Sequence, residues 1–347
     1  MTETVFHLDT WVGAAARLIA AQSYMIDRFD PGCEVIALPP RATGGGEVGL
    51  SLGPLSAEGP VRPGLLRKVQ RRLYPLADVA LPGLFLDLRA HAPGNWAHFL
   101  NNHLPFVVFV CRQLNLQPQD VTLILPETTP SYIRRVATLF GLTCQHTGAR
   151  VTGTGVTFRL TGGPGQPSGW PVLRAARAGW ARDPWLRDPL EAALAEPAKT
   201  ALPARVFLVR RKTRALLNQA EIETVLHPLG FHTLYPEDLS VTDQFRLFNQ
   251  AETIVAVHGA GLAPMLYRTP ASRLLRLVEI MPVGHMTDVY RLMAGQLGID
   301  WIGLRGRIRP EHVGPAYDLT KAFKAFSLQN FTLDPQSLRL ALQMIEA

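Results

Sequence analysis

Residues 253–270 read TIVAVHGAGLAPMLYRTP. The opening run, Thr253 to Val257, is short and apolar without alternation, the pattern of a strand buried on both faces. His258 then brings a polar group to the strand end. Gly259, Ala260 and Gly261 let the backbone approach a ligand closely, and the pattern predicts a helix over 262–268 with Pro264 in its first turn. Free N–H groups and the positive dipole end at such a helix start suit an anion, above all a phosphate. The segment lacks a full G-x-G-x-x-G, so a plain tight strand-to-helix turn fits it equally.

A strand, a glycine turn and a helix make half of a βαβ unit, and the neighbouring sequence repeats the alternation. Downstream and upstream of it the pattern predicts strands at 206–210, 232–235 and 274–280, with helices at 219–229, 241–250 and 286–297. Ser240 and Asp243 stand at capping-box spacing, and Gly230 falls where a helix should stop. The first half predicts strands at 34–38, 84–89, 121–125 and 156–160, with helices at 98–114 and 131–140. Between the halves, TGGPGQPSGWP at 161–171 and four prolines within 183–203 read as a break around one short alanine-rich helix. The predicted fold is therefore α/β, with parallel sheets in an N-terminal domain over 1–190 and a C-terminal domain over 200–330. A terminal helix follows within 331–347. With 347 residues the chain exceeds the size at which a single core stops growing.

A net charge of +7 with 18% charged residues favours anionic partners without choosing among them. Cys33, Cys111 and Cys144 lie far apart and show no C-x-x-C spacing, which argues against disulfide scaffolds and structural zinc. Glu3 and Asp9 stand where a signal peptide wants positive charge, and no apolar run reaches spanning length, so a cytoplasmic location is expected. No D-x-D, G-x-S-x-G, H-E-x-x-H or Walker A motif occurs. Nucleic-acid binding would rest on charge alone, without a helix-turn-helix, zinc-finger or aromatic RNA-binding signature. The stretch LLRKVQRRLYPL at 65–76, with Arg67, Lys68, Arg71 and Arg72, reads either as a solvated helix face or as a dock for an anionic membrane.

Two further groups can carry chemistry. VFLVRRKTRALLN at 206–218 ends a strand at Arg210 and sets Arg211, Lys212 and Arg214 in one loop. Such cations could neutralise a departing diphosphate, or form an ordinary solvated loop. NWAHFLNNHLP at 95–105 puts His98 and Asn102 on one helical face, with Asn95 a turn earlier. His98 could accept a proton from an attacking hydroxyl, although a lone histidine in an apolar helix is commonly a core residue.

Together, and in this order, these pieces resemble glycosyltransferase family 61, which includes bacterial capsular-polysaccharide enzymes and eukaryotic xylosyl- and N-acetylglucosaminyltransferases. The resemblance rests on Asn95, Trp96, His98, Leu104 and Pro105, then Arg210, Arg211, Arg214 and Asn218. It is completed by His258, Gly259, Ala260, Gly261 and Leu262 with Glu279. It implies a GT-B type fold, two Rossmann-like domains facing across a cleft, and inverting transfer with no cofactor and no required metal. The implied donor is a nucleotide-sugar, with a UDP-sugar favoured, and the implied acceptor a glycan or lipid-linked glycan. Arg210, Arg214 and the amides after His258 would hold the diphosphate, Glu279 would contact the ribose or donor sugar, and His98 would be the base. Many members carry an acid where Asn102 stands, which leaves neighbouring His103 as another candidate base. The same departure keeps open a non-catalytic nucleotide- or polysaccharide-binding protein on the same shell.

Overall fold

The computed structural model describes residues 2–24, 29–58, 78–197, 201–309, 312 and 326–346. The basic stretch at 65–76 lies outside the described residues. The chain opens on four strands, β1 (Thr4–Gly13), β2 (Ala16–Tyr24), β3 (Phe29–Leu38) and β4 (Arg41–Ala57), where the sequence predicts one. β1 is mostly exposed and β4 carries three consecutive glycines, Gly44 to Gly46, so neither offers the apolar run that marks a buried strand.

Two compact units result. One combines Met1–Trp11 with Thr43–Glu196, the other Val12–Ala42 with Pro197–Ala347. The division differs from a contiguous cut near 190 because β2 and β3 belong with the C-terminal half. The first unit adds β5 (Val79–Asp87), β6 (Val121–Leu125), β7 (Cys144–His146) and β8 (Val151–Gly162), in the sheet order β1-β4-β8-β5-β6-β7. β8 pairs antiparallel with β4 from Gly46↔Gly162 to Ala57↔Val151, whereas β8, β5, β6 and β7 run parallel. The helix Pro184–Ala195 belongs to this unit, so the proline-rich break begins later than the sequence suggests.

In the second unit β9 (Arg205–Leu208), β10 (His232–Leu234), β11 (Thr253–Val257), β12 (Arg276–Met281) and β13 (Asp300–Arg305) join the early hairpin. Their order is β10-β9-β11-β12-β13-β2-β3, parallel except for β3. β11 is buried at every position, as its uninterrupted apolar run requires. Ile19 of β2, Phe207, Val255, Val278 and Ile302 share one core with Leu338, Leu342 and Ile345 of the terminal helix Pro335–Glu346. The fold is thus mixed α/β with two sheets rich in parallel strands.

One predicted helix takes another form. Residues Ala260–Tyr267 wind as a 3-10 helix, with Leu262 N–H donating to the Gly259 carbonyl at 3.1 Å. Pro264 has no N–H to give the Ala260 carbonyl, so an α-helical first turn lacks one of its bonds.

Candidate functional site

The glycine turn after β11 is where the second unit gathers its polar groups. Glu279 stands on β12 in register with Ala256 of β11 and Gly303 of β13, in the middle of a parallel sheet. It is fully buried, and a carboxylate there must be partnered. One oxygen meets His258 Nδ1 at 2.5 Å and the other accepts from Trp301 Nε1 at 2.7 Å. Gly303 makes the second bond possible: a Cβ there would come within 2.5 Å of Trp301 Cη2. This contact engages Nδ1 and leaves Nε2 as the ring's other polar atom. Glu279 therefore holds His258 and Trp301. The carboxylate expected to contact a donor thus has both oxygens on protein partners, and none of the residue reaches solvent.

Arg210 follows β9 and lies directly over the turn, so that a Cβ at Gly259 would overlap its guanidinium. Its Nε donates to the Thr213 carbonyl at 3.2 Å, and Arg214 Nε donates to the Ser327 carbonyl at 2.8 Å. Among the described residues neither guanidinium forms an ion pair with a carboxylate. Burial draws the pKa of each below the usual arginine range, and Arg210 adds to the effect on Arg214. The field of Glu237 opposes this effect on Arg210 without an ion pair forming. Two cations held partly out of water, with no ion-paired carboxylate among the described residues, are suited to an anion. His285, whose ring centroid is 5.0 Å from that of His258, and Tyr290 at 5.5 Å complete its wall. The sequence reading missed His285, Tyr290 and Trp301, which lie outside its three motifs.

Other predicted residues go elsewhere. Arg211 turns away: it makes paired 2.6 Å bonds to Asp238 and stacks on Tyr235 at 3.8 Å. Asn218 ties two segments together, its amide nitrogen donating to the Leu333 carbonyl at 2.8 Å and its oxygen accepting from Leu333 N–H at 3.1 Å. Those contacts make it a tether between the two segments. Ala260 continues the turn, and Leu262 is core.

In the first unit Asn95 caps a short helical turn, its side chain accepting from the His98 N–H at 3.1 Å. The segment Phe99–His103 is a π-helix, and Leu104–Gln113 continues as α-helix. Pro105 cannot donate to the Asn101 carbonyl, and the wider turn accommodates the missing bond. The expected i, i+4 alignment of His98 with Asn102 is altered accordingly. His98 is exposed, with partial desolvation drawing its pKa below the ordinary histidine value. His103 is completely buried, packed 4.8 Å from Trp170, with Nε2 3.2 Å from the His91 carbonyl. Burial lowers its pKa to about 3. His103, expected as an alternative base, is thus placed in the core, out of reach of solvent.

A profile of the family described as Glycosyltransferase 61 matches residues 96–275, which include His98, the arginine loop and the glycine turn. Over 108 residues the chain is 33% identical to Beta-1,2-xylosyltransferase XAX1 of Oryza sativa subsp. japonica. That stretch covers 29% of this chain and only 19% of the rice protein.

Proposed function

The chain belongs to glycosyltransferase family 61, and on that premise we propose that it transfers a sugar from a nucleotide-sugar, a UDP-sugar in the first instance, to a hydroxyl of a glycan. The observation that carries this reading is the pair Arg210 and Arg214, desolvated and without carboxylate partners beside the glycine turn. A nucleoside diphosphate is the anion that such a site suits. The amides that follow His258 add neutral donors, and Glu279 keeps the His258 ring in one orientation.

In the proposed reaction His98 accepts the proton of the acceptor hydroxyl as that oxygen attacks the anomeric carbon. A new glycosidic bond forms with inversion while the bond to the diphosphate oxygen breaks. The electron pair leaves on the diphosphate, whose growing charge Arg210 and Arg214 neutralise. The two guanidiniums do the work that a divalent cation does in other transferases, so no metal is required. A GT-B pairing of the two units, a lipid-linked acceptor, a part in surface polysaccharide synthesis and a cytoplasmic setting belong to the same proposal. Among the described residues no helix is long and apolar enough to cross a membrane.

Donor binding and turnover, measured with and without chelator, test the reading. His98→Ala is expected to reduce turnover about 10²–10⁴-fold with UDP affinity unchanged, whereas Arg210→Ala weakens UDP itself. Wild-type turnover in His98→Ala would remove the base assignment. Loss of activity in chelator would remove metal independence. UDP binding without any transfer or hydrolysis would favour the non-catalytic reading that Asn102 suggests.

A further inference from the structure

Beyond the arginines, one more group faces the same site. His285 sits in the turn that follows β12, its N–H bonded to the Pro282 carbonyl at 2.9 Å. The turn is pinned from behind, since a Cβ at Gly284 would come within 2.5 Å of the Phe326 backbone. From the loop after β9 the ring meets the fields of Arg210 and Arg214, and from the end of β11 that of His258. The helix Val289–Gln296 brings Tyr290 against His258. Among the described residues, 326–331 behind the turn carry no charged side chain, and His312 packs on Phe326 with ring centroids 4.9 Å apart. Among the described residues no carboxylate pairs with His285, and Glu279 is spent on His258 and Trp301.

We propose that His285 is a proton-switched ligand of the diphosphate, taking one proton from solvent when a nucleoside diphosphate binds and returning it when the site empties. This rests on the reading of the site as a diphosphate holder. With no diphosphate bound, a charged His285 would be a third cation beside two arginines that no described carboxylate ion-pairs. Burial first, then Arg214, His258 and Arg210, accordingly lower its pKa to about 4. A bound diphosphate reverses the sign of the local field and favours the imidazolium, which can donate to a phosphate oxygen. Between the free and bound pKa values binding takes up a proton. Affinity therefore falls as pH rises, by up to about tenfold per pH unit for one linked proton.

Titration calorimetry on the full chain between pH 5.5 and 8, in buffers of different ionisation heat, tests the switch with UDP, GDP and inorganic pyrophosphate as probes. The ligand's own terminal phosphate, which titrates near pH ~6, is subtracted from its free titration. Wild type is expected to take up close to one proton near pH 6 and to lose about tenfold in affinity or more by pH 8. His285→Gln should bind about tenfold more weakly than wild type at pH 6, equally at pH 8, and without the extra proton. His285→Arg should bind tightly at both values with a flat profile. Zero net uptake by wild type, or His285→Gln with the wild-type slope and proton count, overturns the proposal. If Arg210→Ala weakens binding while His285→Gln does not, His285 alone loses its role. Failure of all three probes to bind wild type removes the diphosphate site, and this proposal with it.

Discussion

At Gly259 the backbone φ is 162°, an extended value that any residue adopts, so the glycine is there for space. A side chain would occupy the volume taken by the Arg210 guanidinium. Gly259→Ala should therefore leave folding stability within about 0.5 kcal/mol of wild type while displacing Arg210 and weakening UDP about tenfold or more. A melting curve beside a binding titration separates the two effects. Unchanged UDP affinity would show that Arg210 does not need its place over the turn. Residue types were legible in the sequence here: the cations, the histidine and the glycines were all visible. Their directions were not. Lys212 and Arg214 adopt left-handed φ values of 67° and 56°, which residues of their kind rarely take up, and that loop path parts Arg211 from Arg210. Likewise, the glutamate in RLVEIM was conspicuous inside a buried strand, but its partner Trp301 comes from β13, a strand absent from the sequence reading.

At the scale of elements, strands buried on both faces were the most legible, and β6 and β11 have the predicted limits of 121–125 and 253–257. Helices interrupted by proline were less so, because Pro105 and Pro264 change the type of helical turn without ending it. Those changes matter for His103, which the π-helical segment carries into the core. Its folded pKa of about 3 lies below the ordinary 6.5. The unfolded chain therefore binds its proton first as pH falls. Stability due to His103 is complete above about pH 6.5 and is lost downward toward pH 3, at about 1.4 kcal/mol per pH unit. Denaturant midpoints across that range should show the slope, and His103→Gln should remove this part of it. Asn218 offers an element-scale contrast with Arg214. Its bonds clamp Leu333 beside the bridge between Leu216 and Phe331. Asn218→Ala should cost about 1–3 kcal/mol of stability and change UDP affinity little, whereas Arg214→Ala should do the reverse. A large affinity loss in Asn218→Ala at full stability would return Asn218 to the donor site.

On the scale of the whole molecule, the alternation of strands and helices declared an α/β protein, but the path by which the chain divides into units was hidden. β3 was read only at 34–38 and β2 not at all, and the pairing itself was hidden because partners distant in sequence leave no local mark. In the structure β2 pairs with β13 from Arg17↔Ile302 to Ala20↔Arg305, and Ile19 is fully buried in the second unit's core. The consequence is testable with fragments. A chain starting at 201 keeps Arg210, Arg214 and His258 but leaves β13 as an uncovered edge with apolar neighbours exposed. Losing Leu18 and Ile19 alone removes about 3–6 kcal/mol of burial, against a net stability of about 5–15 kcal/mol for an ordinary domain. That fragment should aggregate, or melt without a cooperative transition. An internally deleted chain joining 12–42 to 201–347 through a short flexible linker restores the hairpin to its place in the sheet, and it should melt cooperatively and bind UDP. If the shorter fragment already melts cooperatively and binds UDP as tightly, the hairpin is an ornament and the second unit is complete from 201 onward. If only the chain that carries 12–42 does so, the N-terminal hairpin is part of the unit that holds the arginines and the glycine turn.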